Sequence, residues 1–391
     1  MCKINLLLII MSYLKIFFLM LCMILVSCTG QKTGKENDNN DKIAIEVGEI
    51  KFPPQDVLQL KSYYLSSSVH VDSIDYLIGY NYRLHSLDCM NLKSKSVTQI
   101  VLPGDGPDAI VRLSGIYAQS LDSVWISDES ERAFLIDSVG TIKRMIDLKK
   151  YLEDQEQLLI NTNYVMFTSH LFYNASRHSL MFLVKHTPSN TFIVKEVFID
   201  EVGKMATYQL SSSKVVPDMS KGYAYINFPN VNFVGENIVY NYPVESSIYM
   251  LDIRTNERKY ILADSHYTSN IIEKCTTSGD YATLEKHWLE NSHFYDIMYL
   301  PKYKIYARLH ADKVDFDEKK GMEKLINERD LYLMLFDENM EKIGETKLSN
   351  CRYSPFTSWN ATYGGIALFV DNVLDEKNNT DDLTIDIISL K

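Results

Sequence analysis

Short runs of Tyr, Ile, Val, Phe and Leu recur through most of this chain, separated by turn residues such as Asp, Asn, Ser, Gly and Lys. This pattern is typical of β-strands joined by tight turns, and helical periodicity occurs in few places. The clearest unit, Leu113–Leu148, holds four such runs with short polar turns between them. Four short antiparallel strands in succession make one blade of a β-propeller, with the first strand nearest the axis. We therefore predict an all-β chain of repeated four-stranded units.

The unit recurs until the chain contains six of them, and their starts lie near Leu58, Leu113, Tyr164, Tyr225, His293 and Pro355. The last unit ends without a fourth strand. The run Ile43–Ile50 precedes the first unit and has no other partner, so it can become the outer strand of the last blade and hide its exposed edge. The prediction is a six-bladed β-propeller over residues 43–391. A seven-bladed ring and a pair of β-sandwiches remain alternatives.

The long connections of the predicted propeller gather on one face. Residues 103–112, 149–163, 211–223 and 263–292 each join a fourth strand to the next first strand, and residues 311–330 join a second strand to a third. Both kinds of connection lie on the same face of a propeller, because neighbouring strands in a blade are antiparallel. Residues 281–289 and 318–329 have helix-like composition. We expect short helical insertions on this face.

The N-terminal 27 residues are almost entirely apolar, although Lys15 interrupts them. This favours a signal peptide over a membrane-spanning helix, with either Met1 or Met11 as the start. The segment ends at Leu25-Val26-Ser27-Cys28, which resembles the lipobox of bacterial lipoproteins. The resemblance implies that residues 1–27 are removed and that Cys28 carries lipid, which would anchor the protein in a lipid bilayer. An N-terminal anchor helix is the alternative. Residues 28–42 contain almost no apolar side chain, so we predict a flexible tether.

Charge and cysteine usage exclude several classes of protein. The net charge is −11, so binding to nucleic acid is not expected, since phosphate affinity requires clustered Lys and Arg. Three cysteines remain beyond Cys28, namely Cys89, Cys275 and Cys351, and they show neither a complete disulfide framework nor a zinc-binding spacing. The sequence contains no P-loop, dinucleotide-binding, zinc-protease or nucleophile-elbow motif. We predict no cofactor and no metal site.

A Gly-Asp-Gly-Pro stretch, Gly104–Pro107, follows the first unit directly. Together with the lipobox, the polar tether and the count of six units, it resembles the uncharacterised six-bladed propeller lipoproteins of Bacteroidetes, a family of domains of unknown function. The resemblance implies the propeller fold and a lipid-anchored location in the bacterial cell envelope, on either the periplasmic or the outer side. It supplies no catalytic residue.

Five residues are candidates for ligand binding at the mouth of the central channel, on the face of the long connections: Asp105, Asp108, Arg112, His293 and Trp359. The two aspartates and Arg112 belong to the Gly-Asp-Gly-Pro connection, where turn chemistry alone also explains the glycines and the proline. A histidine suits acid-base chemistry. A tryptophan suits stacking on a sugar, and core packing explains it equally well.

Two functions are compatible with these patterns. The first is a non-enzymatic binding or assembly module for a glycan, a peptide or an envelope protein, since propeller blades carry variable loops on a rigid frame. The second is a hydrolase or lyase acting on polysaccharide, with its site in the central funnel. An enzyme requires converging titratable groups, whereas a binder requires aromatic and amide groups without them.

Overall fold

The computed structural model describes residues 44–54, 58, 60–159, 171–215, 223, 228–275, 280–355, 358–377 and 381–391. The predicted signal peptide, Cys28 and the predicted tether lie outside these residues. So do the predicted starts of the third and fourth units at Tyr164 and Tyr225.

The described strands form six antiparallel sheets, one for each predicted blade. The first strand, β1 (Ile45–Phe52), precedes the blades. Blade 1 consists of β2 (Ser66–Val71), β3 (Ile74–Asn81), β4 (Ser86–Asn91) and β5 (Val97–Val101). Blade 2 consists of β6 (Leu113–Ser120), β7 (Ser123–Asp128), β8 (Arg132–Ile136) and β9 (Ile142–Asp147), and is followed by a 3-10 helix (Leu148–Tyr151). Blade 3 consists of β10 (Glu156–Leu158), β11 (Phe172–Asn174), β12 (Ser179–His186), β13 (Thr191–Phe198) and β14 (Met205–Gln209).

The second half of the chain repeats the arrangement. Blade 4 consists of β15 (Asn230–Val234), β16 (Asn237–Asn241), β17 (Ile248–Asp252) and β18 (Arg258–Ile261). Helix α1 (Tyr281–Leu289) lies between blades 4 and 5 in sequence. Blade 5 consists of β19 (His293–Leu300), β20 (Ile305–Ala311), β21 (Leu331–Phe336) and β22 (Lys342–Lys347), with α2 (Met322–Asn327) between its second and third strands. Blade 6 contains β23 (Trp359–Ala361), β24 (Ile366–Phe369) and β25 (Leu383–Leu390). The six-bladed propeller is confirmed.

The N-terminal strand closes the ring, as the sequence predicts. β1 is the fourth strand of blade 6 and pairs antiparallel with β25, from Ile45 opposite Leu390 to Phe52 opposite Leu383. Without β1, the outer edge of β25 would expose unpaired backbone donors and acceptors. The two ends of the described chain are therefore held in one sheet.

The hydrophobic core is divided among the interfaces between blades. Six clusters of buried side chains occur in the described residues, and each is built mainly from two neighbouring blades. Middle strands therefore bury both faces: all six residues of β21, with the sequence LYLMLF, are buried. Outer strands are less buried, and in β9 none of the six residues is fully buried. This explains why the inner runs are continuously apolar and the fourth strands are mixed.

The propeller has two different faces. We call the face with the connections from fourth to first strands and from second to third strands the insertion face, and the opposite one, with the hairpin turns, the turn face. Both helices belong to the insertion face, and the amide of Val314 donates to the carbonyl of Leu289 at 2.8 Å, which joins the two insertions. The guanidinium of Arg329 lies over the ring of Trp288 at 5.0 Å. The predicted helical insertions on one face are confirmed. No helix within the described ranges has the length and hydropathy needed to cross a membrane.

The closing strand gives a direct test of the fold. Phe52 is 0% exposed and packs with Tyr63 and Phe369, whereas Val47 on the same strand is 46% exposed. We expect Phe52→Ala to lower the free energy of unfolding by about 3–5 kcal/mol, because it leaves a cavity in the last interface. Val47→Ala should change it by about 0.5 kcal/mol or less. Urea denaturation measures both. Equally small effects would contradict closure by β1 in solution.

Candidate functional site

The first strand of every blade contributes to a cavity on the propeller axis. In the described sheets, β2, β6, β11, β15, β19 and β23 each pair on one side only, so their other edges face the axis. Most of the residues that enclose a cavity of about 530 Å³ belong to these six strands or directly precede or follow them. This volume lies within the range of about 300–1,000 Å³ that is typical of small-molecule sites.

The described lining of this cavity carries no Asp, Glu, Lys, Arg or His. Its polar side chains are those of Ser66, Ser67, Ser68, Asn174, Asn232 and Asn360. Its aromatic side chains are those of Tyr117, Phe172, Tyr173, Phe233 and Tyr299. The free strand edges add backbone N–H and C=O groups, which need hydrogen-bond partners wherever they face the cavity. The site therefore combines neutral donors and acceptors with aromatic surface.

The serines of β2 fix the wall of the cavity by bonding to both neighbouring blades. Ser66 accepts a hydrogen bond from the side-chain amide of Asn360 at 2.6 Å, and Ser68 donates to the carbonyl of Ala361 at 2.5 Å, so both bond to blade 6. On the other side, Ser67 accepts from the amide of Ala118 in blade 2 at 3.0 Å. These contacts hold three first strands in register around the axis.

The aromatic part of the wall is a packed cluster. Phe172 of blade 3 meets Phe233 of blade 4 edge to face, with ring centroids 4.6 Å apart, and Tyr117 of blade 2 lies 5.9 Å from Phe172. Burial raises the pKa of the Tyr117 hydroxyl, and nearby Tyr173 raises it further. This hydroxyl therefore stays protonated and neutral at physiological pH.

The cavity opens on the turn face. Ala175, Gly235 and Pro301 border it, are exposed, and directly follow the first strands of blades 3, 4 and 5. Toward the insertion face, by contrast, first-strand residues such as Leu113 and His293 are buried. The long connections pack over that end of the blades, while the short turns leave the other end accessible.

Comparison with known proteins places the chain in a family. Residues 36–347 match the model of a domain of unknown function, DUF4221. The chain belongs to this family. It is similar to the crystal structure of a DUF4221 member from Bacteroides vulgatus, with a TM-score of 0.72 and 14% identity over 90% of this chain and 99% of that chain. It is also similar to a Bacteroides fragilis protein called an exported protein, with a TM-score of 0.54 and 13% identity over 90% and 97% of the two chains. No curated protein matches the chain.

These structural similarities establish the fold of the DUF4221 chain, but they do not identify a ligand. Both structural relatives are below 25% identity, where the backbone arrangement is shared and individual side chains are not. The candidate site must therefore be argued from this chain's own residues.

The structure places the Gly-Asp-Gly-Pro connection on the surface of the insertion face. Asp105, Asp108 and Arg112 are exposed, and the Nε of Arg112 lies 3.6 Å from a carboxylate oxygen of Glu129. Gly106 has φ of +90°, a conformation that glycine adopts without strain, and the amide of Ala109 donates to its carbonyl at 3.2 Å. This geometry explains the glycine as a turn residue. That these three residues bind a ligand stays a prediction.

His293 and Trp359 lie elsewhere, inside the protein. Trp288 donates its indole N–H to Nδ1 of His293 at 3.4 Å. Burial, together with the charge of Arg329, lowers the pKa of His293 to about 3, so the ring is neutral at physiological pH. Trp359 donates to Asp296 at 2.7 Å and so links blade 6 to blade 5. The five predicted residues therefore do not share one environment, because three are exposed and two are buried.

A second group of titratable side chains is buried within blade 5 and was not singled out from the sequence. His310 lies 2.9 Å from Glu345 through Nε2 and 3.1 Å from the hydroxyl of Thr268 through Nδ1. Burial alone would raise the pKa of Glu345, but hydrogen bonds from His310 and Ser265 outweigh it and hold the pKa at about 2. The His310 ring is stacked between Phe294 and Tyr332. The group ties the connection after blade 4 to blade 5.

The sequence contained only a weak signal for the cavity. Ser66-Ser67-Ser68 is a polar run at the start of an otherwise apolar unit, and Asn360 follows Trp359. The other lining residues are scattered over six strands far apart in sequence, so only the assembled ring brings them together. In the described residues, no group of three or more His, Cys, Asp or Glu side chains is arranged to hold a metal ion.

The buried state of His293 predicts a pH dependence of stability. An unfolded histidine binds a proton near pH 6.5, whereas folded His293 binds one only near pH 3. The unfolded state therefore takes up the proton first, and the free energy of unfolding falls as the pH drops from about 6.5 to 3, by up to about 1.4 kcal/mol per pH unit. His293→Phe should reduce this slope, as measured by urea denaturation between pH 7 and pH 4. The control His178→Phe changes an exposed ring, and identical slopes in the two variants would rule out a buried neutral His293.

Proposed function

We propose that this DUF4221 protein is a non-enzymatic binding module whose ligand enters the axial cavity from the turn face. The observation that carries the proposal is the composition of the lining: all six blades contribute, and the described contributors are neutral polar, apolar and aromatic residues. Such a wall can orient a ligand by hydrogen bonds and hold it by aromatic contacts. It offers no described group that could exchange a proton near neutral pH.

The lining argues against a hydrolase or lyase at this cavity. Most glycoside hydrolases use a pair of carboxylates on opposite sides of the scissile bond, and the described lining has none. The titratable pair His310 and Glu345 is 0% exposed in both side chains, and neither residue lines the cavity. A substrate in the cavity would therefore meet neither acid nor base from this pair.

The rigidity of the site also supports recognition. The serine contacts between blades 6, 1 and 2 and the packed rings of blades 2, 3 and 4 fix the wall before any ligand arrives. A preorganised site loses little conformational entropy on binding, so more of the contact energy appears as affinity.

A substitution that fills the mouth tests the location of the site. Ala175 is exposed and borders the cavity, so Ala175→Trp should lower ligand affinity at least tenfold by steric exclusion. Val139→Trp is the control, because Val139 is exposed in the turn between the last two strands of blade 2 and does not border the cavity. The assay is calorimetric titration with hits from a panel of oligosaccharides and short peptides. Equal affinities in both variants, or no binding by the wild-type protein, would refute the proposal.

We further propose that the protein is exported to the cell envelope and anchored by lipid on Cys28. The lipobox-like residues Leu25–Cys28 support this, as does the similarity to a Bacteroides fragilis protein called an exported protein.

Metabolic labelling tests the anchor. The full chain should incorporate radioactive palmitate, and Cys28→Ser should abolish the incorporation because the thiol that forms the lipid bond is lost. Cys22→Ser is the control, since Cys22 lies within the segment that should be removed. Labelling that persists in Cys28→Ser would place the lipid elsewhere.

A further inference from the structure

A stacked pair of rings lies beside the cavity on the turn face. The rings of His70 and Tyr363 are 4.3 Å apart, with an angle of 25° between their planes. His70 belongs to β2 of blade 1, and Tyr363 lies in the turn after β23 of blade 6. Both residues are exposed, and the Tyr363 side chain is 46% exposed. The pair therefore offers an aromatic surface to solvent.

This aromatic surface continues the wall of the cavity. Ser68 and Ala361 both line the cavity and are hydrogen-bonded to each other across the contact between blades 1 and 6. His70 and Tyr363 each follow one of these residues by two positions. His70 is still within β2, where two residues span about 7 Å, and Tyr363 lies in the turn directly after β23. The contact between blades 1 and 6 thus leads from the cavity wall to the stacked rings at the rim.

The stacked rings are held in place by one carboxylate. Asp75 accepts hydrogen bonds from Nδ1 of His70 at 2.8 Å, from the amide of Tyr363 at 3.1 Å and from the amide of Gly364 at 2.8 Å. The hydroxyl of Tyr303 donates to the carbonyl of Gly364 at 3.2 Å from blade 5. An exposed aromatic pair with this many fixed contacts loses little freedom when a ligand covers it.

We propose that the ligand is an uncharged oligosaccharide, whose end occupies the cavity while the next sugar units lie across His70 and Tyr363. This inference depends on the proposed binding function and specifies its ligand class. Sugar hydroxyls both donate and accept hydrogen bonds, which matches serine hydroxyls, asparagine amides and free strand edges. The C–H faces of a sugar ring pack on aromatic rings, whose faces carry negative electrostatic potential.

The neutral lining favours uncharged oligosaccharides over charged sugars and charged peptides. A uronic acid, a sulfated sugar or a charged peptide would bury an ionised group in the cavity, where the described lining has no opposite charge to compensate its lost hydration. A neutral extended peptide could pair with one free strand edge, but that pairing does not use the aromatic surface of His70 and Tyr363. The combination of a neutral cavity and an adjacent aromatic surface therefore favours a neutral sugar chain.

Two adjoining subsites imply that affinity grows with chain length. A single sugar fills only the cavity, whereas a chain of three or more units also covers the aromatic surface. Tyr363→Ala should therefore lower affinity for the longer chains about three- to tenfold, which is the loss expected for one aromatic contact. Binding of the single sugar should remain unchanged.

The experiment uses the purified full chain on an array of neutral oligosaccharides of one to six units, with uronic acid-containing counterparts and neutral peptides. Hits are titrated by calorimetry against wild type, Tyr363→Ala and Tyr267→Ala, after thermal melting has shown that each variant is folded. Tyr267 is the matched control because it is 45% exposed and also stacked, on Tyr332, but lies on the insertion face. The expected result is neutral-chain binding that weakens only in Tyr363→Ala.

The outcomes separate the two proposals. Binding of peptides or charged sugars that Ala175→Trp blocks, with no binding of neutral sugars, would overturn the ligand class and leave the cavity as the site. Neutral sugar binding that Ala175→Trp blocks and Tyr363→Ala does not weaken would overturn the role of the stacked rings. The absence of any ligand that Ala175→Trp excludes would overturn both proposals.

Discussion

The pairing of β1 with β25 is the constraint on which the rest of the structure depends. The third strand of blade 6 gains an outer partner only from β1, so closure uses strands from opposite ends of the described chain. The cluster beneath this pairing, with Phe52 and Ile385 fully buried, also fills the interface between blades 6 and 1. That interface carries both the serine contacts of the cavity and the stacked rings at its rim. The shape of the site therefore depends on a strand that contributes no residue to the lining.

The fold was predictable because local signals repeat. Runs such as the LYLMLF of β21 can be buried on both faces only between blades, and the polar turns between runs leave no room for crossover helices. The run Ile43–Ile50 had no partner in the first unit, and the last unit lacked a fourth strand. Pairing the two was therefore the simplest way to complete the ring. Six weak signals of the same kind support one another, which is why six blades were the favoured prediction, and the structure excludes the seven-bladed ring and the pair of β-sandwiches.

The site was less predictable because it depends on what packs over each end of the ring. His293 and Trp359 are at the starts of first strands, which places them near the axis. Trp288 of the insertion before blade 5 packs on His293, and Trp359 is buried between blades 5 and 6. Asn232 and Tyr299 belong to no distinctive motif, and their role becomes visible only when the first strands of all six blades meet around the axis. Sequence spacing can show which residues lie near an axis. It does not show which end of that axis stays open.

Several buried carboxylates of the described residues bond within the blades, away from the cavity lining. Asp88, Glu196, Glu345 and Asp386 are buried in blades 1, 3, 5 and 6, on third or fourth strands, where hydroxyl, amide or basic groups bond to them. Removing one of these hydrogen-bonding groups would leave a buried carboxylate without its partner. The carboxylates therefore favour one arrangement of each sheet. The described lining of the cavity carries no charged side chain, which suits recognition of uncharged molecules.

The direction of β1 has a consequence for access. Ile45 pairs with Leu390 at the turn-face end of blade 6, and Phe52 pairs with Leu383 at the other end. The polypeptide that precedes β1 therefore enters the propeller on the side where the cavity opens. A tether over residues 28–42, fully extended, reaches about 50 Å at most. If Cys28 carries lipid as proposed, the opening of the cavity would stay in a thin layer next to the membrane. It would then meet oligosaccharides attached to that surface before those in bulk solution.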